Sequence, residues 1–414
     1  MKTLLLIARP HSYRIPPYLS AARKMGLDVN LASEGEHSLI SEIHNGINID
    51  FNDFDKSVEI IVDSAKESPF CGVIGCDDST VEMAAKVAEI LGLPHNPPEA
   101  ARLSRRKDLS RHHLMEQGCA VPQHRYLDIN QDIISQISDL AYPCVVKPVH
   151  LSASRGVIRA NNQDELLAAC KRIKAIINET SDSIEASRIL IEDYIDGVEV
   201  AYEGFLSDGE LHTLAIFDKP IPLVGPYFEE SIYVTPSQLS AETQKTIKKS
   251  IAQACSAYGL KTGPIHAEAR VNQDNAWILE VASRTIGGDC GRSLDSSEES
   301  GFSLEELAIN LAIGKKITPN PIQGSRGVMM IPIPKGGILK RVEGLEEARQ
   351  VPFVEKVDII ISEGHELIPL PEGEQYPGYI FARADTPQQV ITALEDAHAK
   401  LEFKISPLWK IEGL

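Results

Sequence analysis

Two acidic side chains on opposite arms of a short hairpin carry the strongest chemical signal in the sequence. His266-Ala-Glu268-Ala-Arg270-Val271 is followed by the polar run Asn272 to Asn275 and then by Ala276-Trp-Ile-Leu-Glu280-Val-Ala-Ser-Arg284. Both arms alternate apolar and polar residues, the period of a half-buried strand. A turn centred on Asp274 makes Glu268 and Glu280 direct cross-strand partners and puts His266, Arg270 and Arg284 on their face. Like charges opposed on a sheet destabilise it unless a cation lies between them. Hard carboxylate oxygens suit magnesium bridging nucleotide phosphates. The competing reading is a solvated hairpin whose own Arg270 and Arg284 neutralise the acids. The glycine-rich run Ile286-Gly-Gly-Asp-Cys-Gly-Arg292, which follows at once, favours a binding site.

Two further segments could act with it. Tyr142-Pro-Cys-Val-Val-Lys147 reads as a buried strand ending in a lysine, and the small polar residues that follow, Ser152-Ala-Ser154-Arg155-Gly156, can fold their backbone N–H groups and hydroxyls around a polyphosphate. An ordinary hairpin turn with a surface lysine is the alternative. In Arg188-Ile-Leu-Ile-Glu192-Asp193-Tyr-Ile195-Asp-Gly197-Val-Glu199, an apolar strand breaks at Gly197 and a second strand begins. Edge peptide groups there can pair with a purine, and Glu192 and Glu199 can reach an exocyclic amine and ribose hydroxyls. Solvated acids around a turn would look similar. Asp218-Lys219-Pro220 and Phe228-Glu229-Glu230 lie between these segments as candidate substrate contacts.

The elements that must position these residues are legible as textures. Short apolar strands alternate with amphipathic helices over the first hundred residues: Thr3 to Ala8, Pro16 to Met25, Asp28 to Ala32, Cys71 to Gly75 and Ser79 to Leu91. Such alternation predicts a parallel sheet with covering helices, without the G-x-G-x-x-G of a dinucleotide site. From Leu103 a basic stretch, Arg105-Arg106-Lys107, leads into mixed strand and helix signals. Beyond about residue 318 come strands at Gly327 to Ile333, Val354 to Ile361 and Gly378 to Ala384, and a helix at Pro387 to Leu401.

Composition bounds the function. The 414 residues predict two to three domains. A net charge of −18 argues against general nucleic-acid binding while leaving room for a local basic pocket. Seven scattered cysteines with no C-x-x-C spacing predict reduced thiols and a cytoplasmic location. The apolar start is cut off by Arg9, and no run is long enough to span a bilayer, so no membrane or export segment is expected.

Taken in order, the lysine with its small-residue loop, the strand with spaced acids and the carboxylate hairpin with a downstream arginine resemble the ATP-grasp superfamily of carboxylate-amine ligases. The resemblance is closer to the branch of biotin carboxylase, carnosine synthase and the L-amino-acid ligases. Gly92-Leu-Pro-His-Asn-Pro-Pro-Glu-Ala-Ala-Arg102-Leu-Ser-Arg-Arg-Lys107-Asp108 is similar to that family's approach to its grasp domain, and Gly327-Val-Met-Met-Ile-Pro and Gly344-Leu-Glu-Glu-Ala-Arg349 are similar to a biotin carboxylase-like C-terminal domain. The resemblance implies an α/β architecture: a Rossmann-like domain at 1–103, an ATP-grasp domain at 104–317 with a mobile lid at about 124–196, and a small α+β domain at 318–414.

It also implies roles. Lys107 and Lys147 would hold phosphates under the loop Ser152, Ser154, Arg155 and Gly156. Glu192, with the backbone of Asp193 and Ile195, would hold adenine, and Glu199 the ribose. Glu268 and Glu280 would bind magnesium, or manganese in its place. Arg284 would bind the acyl substrate, and His266 is a candidate base. Two departures stand out: Ala282 replaces a frequent asparagine ligand, and Leu151 replaces a frequent loop glycine. The implied activity is ATP-dependent activation of a small carboxylic acid, such as an amino acid, as an acyl phosphate, then its joining to an amine with release of ADP and phosphate. Small molecules are the expected partners, with neither nucleic acid nor membrane. A homodimer is compatible, since relatives with this C-terminal domain often dimerise. A bicarbonate-phosphorylating carboxylase-like enzyme and a non-catalytic nucleotide-binding module are the alternatives. Retention of both lysines, both acids and Arg284 argues against the latter.

Overall fold

A computed structural model describes residues 2–35, 45–149, 151–178, 187–272, 275–295, 303–319 and 322–408. The chain begins with β1 (Thr3–Ile7), α1 (Ile15–Lys24), β2 (Asp28–Ser33), β3 (Asn45–Asn48), α2 (Phe54–Glu67), β4 (Phe70–Gly75) and α3 (Val81–Leu91). The four strands form a parallel sheet in the order β3-β2-β1-β4. Leu4, Leu5, Leu6 and Ile7 are all fully buried, which is why β1 reads as an unbroken apolar run: helices cover both faces. Gly92 ends α3 in the left-handed conformation, φ 67°, its N–H closing on the last turn. The carboxyl end of β4 delivers Asp77 and Asp78 to the rim of the sheet, where open α/β folds place ligands.

Helices α4 (Pro98–Arg105) and α5 (Lys107–Glu116) lead into a second unit built from β5 (His124–Asp128), α6 (Ile133–Gln136), β6 (Cys144–Pro148), β7 (Ile158–Ala160), α7 (Gln163–Asn178) and β8 (Arg188–Asp193). Its antiparallel strands lie in the order β5-β8-β6-β7. Leu166, Cys170, Ile173 and Ile177 of α7 pack on Val146, Ile189 and Ile191, a core separate from that of the first sheet.

The largest sheet takes in β9 (Val198–Ser207), β10 (Glu210–Asp218), β11 (Ile232–Thr235), β12 (Gly263–Val271) and β13 (Ala276–Ala282), with α8 (Ala241–Tyr258) packed on it. A 3-10 turn, Cys290–Leu294, and α9 (Leu304–Ala312) follow. The remaining chain forms β14 (Ser325–Met330), β15 (Gly337–Glu343), α10 (Leu345–Arg349), β16 (Val354–Ile359), β17 (Glu366–Leu367), β18 (Gly378–Ala384), α11 (Pro387–His398) and β19 (Glu402–Ser406). Three of these strands extend the large sheet, whose order is β13-β12-β9-β10-β11-β14-β18-β16. The C-terminal residues therefore share a sheet with the site-bearing strands, while β15, β17 and β19, short and weakly patterned, make a sheet of their own that the sequence texture did not disclose. Among the described residues no helix is long and apolar enough to cross a membrane, and all seven cysteines are free thiols.

Candidate active site

Strands β12 and β13 oppose Glu268 and Glu280 directly, by a route that differs from a symmetric hairpin. Nearer the turn the pairs are Val271 with Ala276, Arg270 with Trp277 and Ala269 with Ile278. That register alone would set Glu268 against Leu279. An extra residue, Leu279, bulges out and restores the opposition of the acids. Asp274, the expected centre of the turn, lies outside the described residues. Arg111 on α5, almost fully buried, holds the bulge: its Nη1 donates to Ile278 O at 3.0 Å and its Nη2 to Leu279 O at 2.6 Å. Lysines supply the charge that opposed carboxylates require. Lys107 Nζ stands 3.2 Å from Glu280 Oε2, and Lys219 Nζ lies 2.9 Å from Glu268 Oε1.

Lys219 is the centre of a denser cluster. Its buried ammonium also meets Glu199 Oε1 at 2.8 Å and Glu230 Oε1. Oxygens of Glu199, Glu230 and Glu268 lie within 4.8 Å of one another. Burial opposes the charge on Lys219, but the acids around it, Glu199 first, outweigh it and hold the ammonium protonated. Burial and the facing Glu268 push the Glu230 carboxyl up to about 8, and its Oε2 accepts from Tyr233 Oη at 2.7 Å. Glu268 goes the other way: burial opposes its charge, yet Lys219 and His266 keep it well below the usual carboxylate range. This donor set is all carboxylate oxygen and suits a hard divalent cation such as magnesium, but the Lys219 ammonium stands at its centre and would have to give way for a metal to enter.

On the facing unit, Lys147 at the end of β6 and Arg111 both pair with Glu192, which is buried to 3% exposure. Burial disfavours the Glu192 anion, but Arg111 and Lys147 together lower its pKa. Burial is also the largest influence on Lys147 and lowers its pKa. Sequence reasoning gave Glu192 to adenine. The structure instead spends both of its carboxylate oxygens on cations, making it the counter-ion that fixes Lys147. Asp193 and Ile195 are likewise engaged: the Asp193 N–H donates to Gln123 O at 2.9 Å, and Ile195 O accepts from Arg270 Nη1 at 2.9 Å. Glu199, expected at a ribose, is held by Lys219 and by Arg270 Nε at 3.0 Å.

The loop after β6 turns sharply, with Ala153, Ser154 and Gly156 at φ 52°, 56° and 72°. The open row of N–H groups expected there is only partly open. Arg155 donates to Ser152 O, Val157 to Ser154 O and Gly156 to Pro371 O. The Ser152 side chain stays exposed and that of Ser154 partly so. Lys107 Nζ donates to Leu151 O at 3.0 Å and ties the loop to the hairpin acids.

His266 does not present a base to an open cleft. It is 6% exposed, with Nδ1 bonded to Glu203 Oε1 at 2.9 Å and Nε2 turned to Glu268 Oε1 at 4.0 Å, so it supports the acid rather than reaching past it. Glu203 is fully buried, and burial raises its pKa. Arg284 is gripped by Asp78 through two bonds, Nε to Oδ1 at 2.7 Å and Nη2 to Oδ2 at 2.8 Å, with Nη1 on Thr285 O at 2.9 Å. Sequence reasoning missed Arg111, Glu203 and Asp78. Only Arg111 left a trace, four residues after Lys107 on one helix face.

Residues 140–293 match the ATP-grasp domain family, 19–95 the ATP-grasp N-terminal domain and 329–406 the L-amino acid ligase C-terminal domain 2. The chain thus carries an ATP-grasp domain with the N- and C-terminal domains that accompany it, and it resembles carboxylate-amine ligases. The crystal structure of L-amino acid ligase from Bacillus licheniformis superposes with a TM-score of 0.80 at 26% identity, covering 98% of this chain and 99% of that one. Alanine–anticapsin ligase of Bacillus subtilis (strain 168) is 26% identical over 220 residues, 49% of this chain and 46% of the relative. D-alanine–D-alanine ligase B of Pseudomonas syringae pv. tomato is 27% identical over 204 residues, 46% of this chain and 58% of the relative. The chain thus spans about half the length of these two sequence relatives.

Proposed function

We propose that the protein activates a small carboxylic acid, such as an amino acid, with ATP as an acyl phosphate and joins it to an amine, releasing ADP and phosphate. The observation that carries the reading is the pair of carboxylates opposed across the hairpin, Glu268 beside Lys219 and Glu280 beside Lys107, with Arg284 just past the end of β13. The L-amino acid ligase, alanine–anticapsin ligase and D-alanine–D-alanine ligase among its relatives support it. Within it we propose a nucleotide-binding core at 104–317 with a lid at about 124–196, flanked by domains at 1–103 and 318–414.

Glu268 and Glu280 would hold magnesium, which when bound neutralises charge on the nucleotide phosphates. Lys107 would exchange its bond to Leu151 O for a phosphate oxygen, and Lys147, held in place by Glu192, would turn a remaining N–H toward another. The substrate carboxylate oxygen then attacks the γ-phosphorus and ADP leaves. The amine nitrogen attacks the acyl carbon, phosphate leaves, and the amine gives up a proton. Arg284, oriented by Asp78, still has N–H bonds to turn toward the substrate carboxylate and the later oxyanion. The lid would keep water from the acyl phosphate.

Hydroxylamine trapping with a panel of acids tests this. Hydroxamate formed from amino acids, with ADP, is the expected result. ATP cleavage that depends on bicarbonate instead, or tight ATP binding with no ADP under any acid, would refute it. Mass spectrometry of pooled amino acids incubated with ATP and magnesium would then name both partners.

A further inference from the structure

The loop between β6 and β7 is tied to the far end of the chain. Gly156 N–H donates to Pro371 O at 2.9 Å, and Arg155 Nη1 stands 3.8 Å from Glu374 Oε2. A stronger tie comes from α7. Arg172 meets both oxygens of Glu372, through Nε to Oε1 and through Nη2 to Oε2 at 2.8 Å, a bidentate pair across 200 residues of sequence. Its Nη1 donates to Tyr227 Oη, and the guanidinium lies 5.1 Å from the centre of that ring.

The same seam continues along β7. Tyr227 bridges Ile158, Arg159 N–H donates to Pro226 O at 2.8 Å, and Arg159 Nη1 donates to Val224 O at 2.8 Å. The C-terminal side is a tight turn: Gly373 N–H returns to Pro369 O at 3.0 Å, and a Cβ on Gly373 would stand 1.7 Å from Ile368 O, so only glycine fits. Between Ala153 of the loop and Leu370, Gly373 and Tyr376 of the turn, about 10 Å³ of internal space remains.

Arg172, Glu372 and Tyr227 lie outside the machinery assigned above, yet together with the Gly156–Pro371 bond they fix where the phosphate loop can sit. We infer that residues 369–376 form a strap that holds the lid over the nucleotide, with Arg172 and Glu372 as positioning residues acting through Gly156. The inference rests on the reading of Ser152 to Gly156 as the phosphate cover. Arg172 and Glu372 have side chains 41% and 39% exposed, so the pair is strong enough to bias closure and weak enough to open in every turnover.

The test is the release rate of N-methylanthraniloyl-ADP with magnesium, followed by stopped flow, for the wild type, Arg172→Glu, Glu372→Arg and the doubly exchanged protein. Each single reversal should release nucleotide roughly fivefold faster, and the exchanged pair should recover most of that loss. Both side chains sit on the surface of their elements, and rescue by exchange separates latching from any general loss of fold. Unchanged release in all variants overturns the strap while leaving the ligase reading intact. Slower release in the single variants overturns it too, because Pro371 would then be a plug on the Gly156 N–H. A wild type that binds no nucleotide overturns both readings. A wild type that binds nucleotide but forms no hydroxamate refutes the ligase reading alone.

Discussion

A carboxylate that is to grip a divalent cation must stay ionised where burial favours the neutral acid, and at Glu268 Lys219 does this before any metal arrives. Glu280 faces Lys107 and Glu268 faces Lys219. Glu280→Gln keeps size and shape but removes the anion, so hydroxamate formation should fall by about 100-fold or more, with an unchanged melting curve. Near wild-type rates would dismiss Glu280 as a metal ligand. Glu230 makes the opposite prediction. It is neutral in the folded chain up to about pH 8 against an ordinary value of 4.5, so between those values the unfolded chain holds fewer protons and stability falls as pH rises. Glu230→Gln should therefore gain thermal stability over wild type in chelator-containing buffer, more at about pH 9 than at about pH 5. An equal difference at both would show that Glu230 titrates normally. The sequence made the acids visible because their alternation has a period. It hid Lys219's full role, Asp78 and Glu203 because their meaning comes from partners many residues away, such as Arg284 for Asp78 and His266 for Glu203.

At the scale of elements, the hairpin shows what a pattern can and cannot disclose. Alternation identified two strands and one shared face, and it did so correctly. The single-residue bulge at Leu279 carries no compositional mark, because a bulge is set by what packs against it, here the buried Arg111. The break at Gly197 was legible for a firmer reason. It lies at φ 125°, and a Cβ there would stand 2.1 Å from Val271 O, so the residue joins β8 to β9 where the end of β12 crowds the chain. Gly197→Ala adds both backbone strain and a backbone clash, and should lower unfolding stability by roughly 1–3 kcal/mol. Urea denaturation checks this. A midpoint within error of wild type would mean that the β8–β9 connection yields without loss.

The whole molecule is more continuous than its three textures suggested. Strand β11 runs beside β14 from the Ile232–Met329 pair to Thr235–Arg326, whereas it meets β10 at Val234 with Asp218. Val328, Met330, Tyr379 and Phe381 complete the core around Ala201, Phe217 and Tyr233, and Tyr233 holds Glu230. At the other end, Ala308 and Ile309 of α9 pack into the first sheet's core, and a Cβ on Gly72 would meet Ala312 O at 2.9 Å. Composition marked a boundary near 318 because glycine, proline and lysine gather there, but pairing between distant strands leaves no local trace. A chain ending at residue 323 would keep every residue assigned to ATP, metal and acyl substrate and yet lose the partner of β11 and half of the core beneath Glu230. It should precipitate, or melt without a cooperative transition, because an unpaired central edge and a stripped apolar face are exposed together. A soluble 1–323 fragment with one sharp calorimetric transition and wild-type nucleotide affinity would show instead that the grasp strands stand without their C-terminal neighbours.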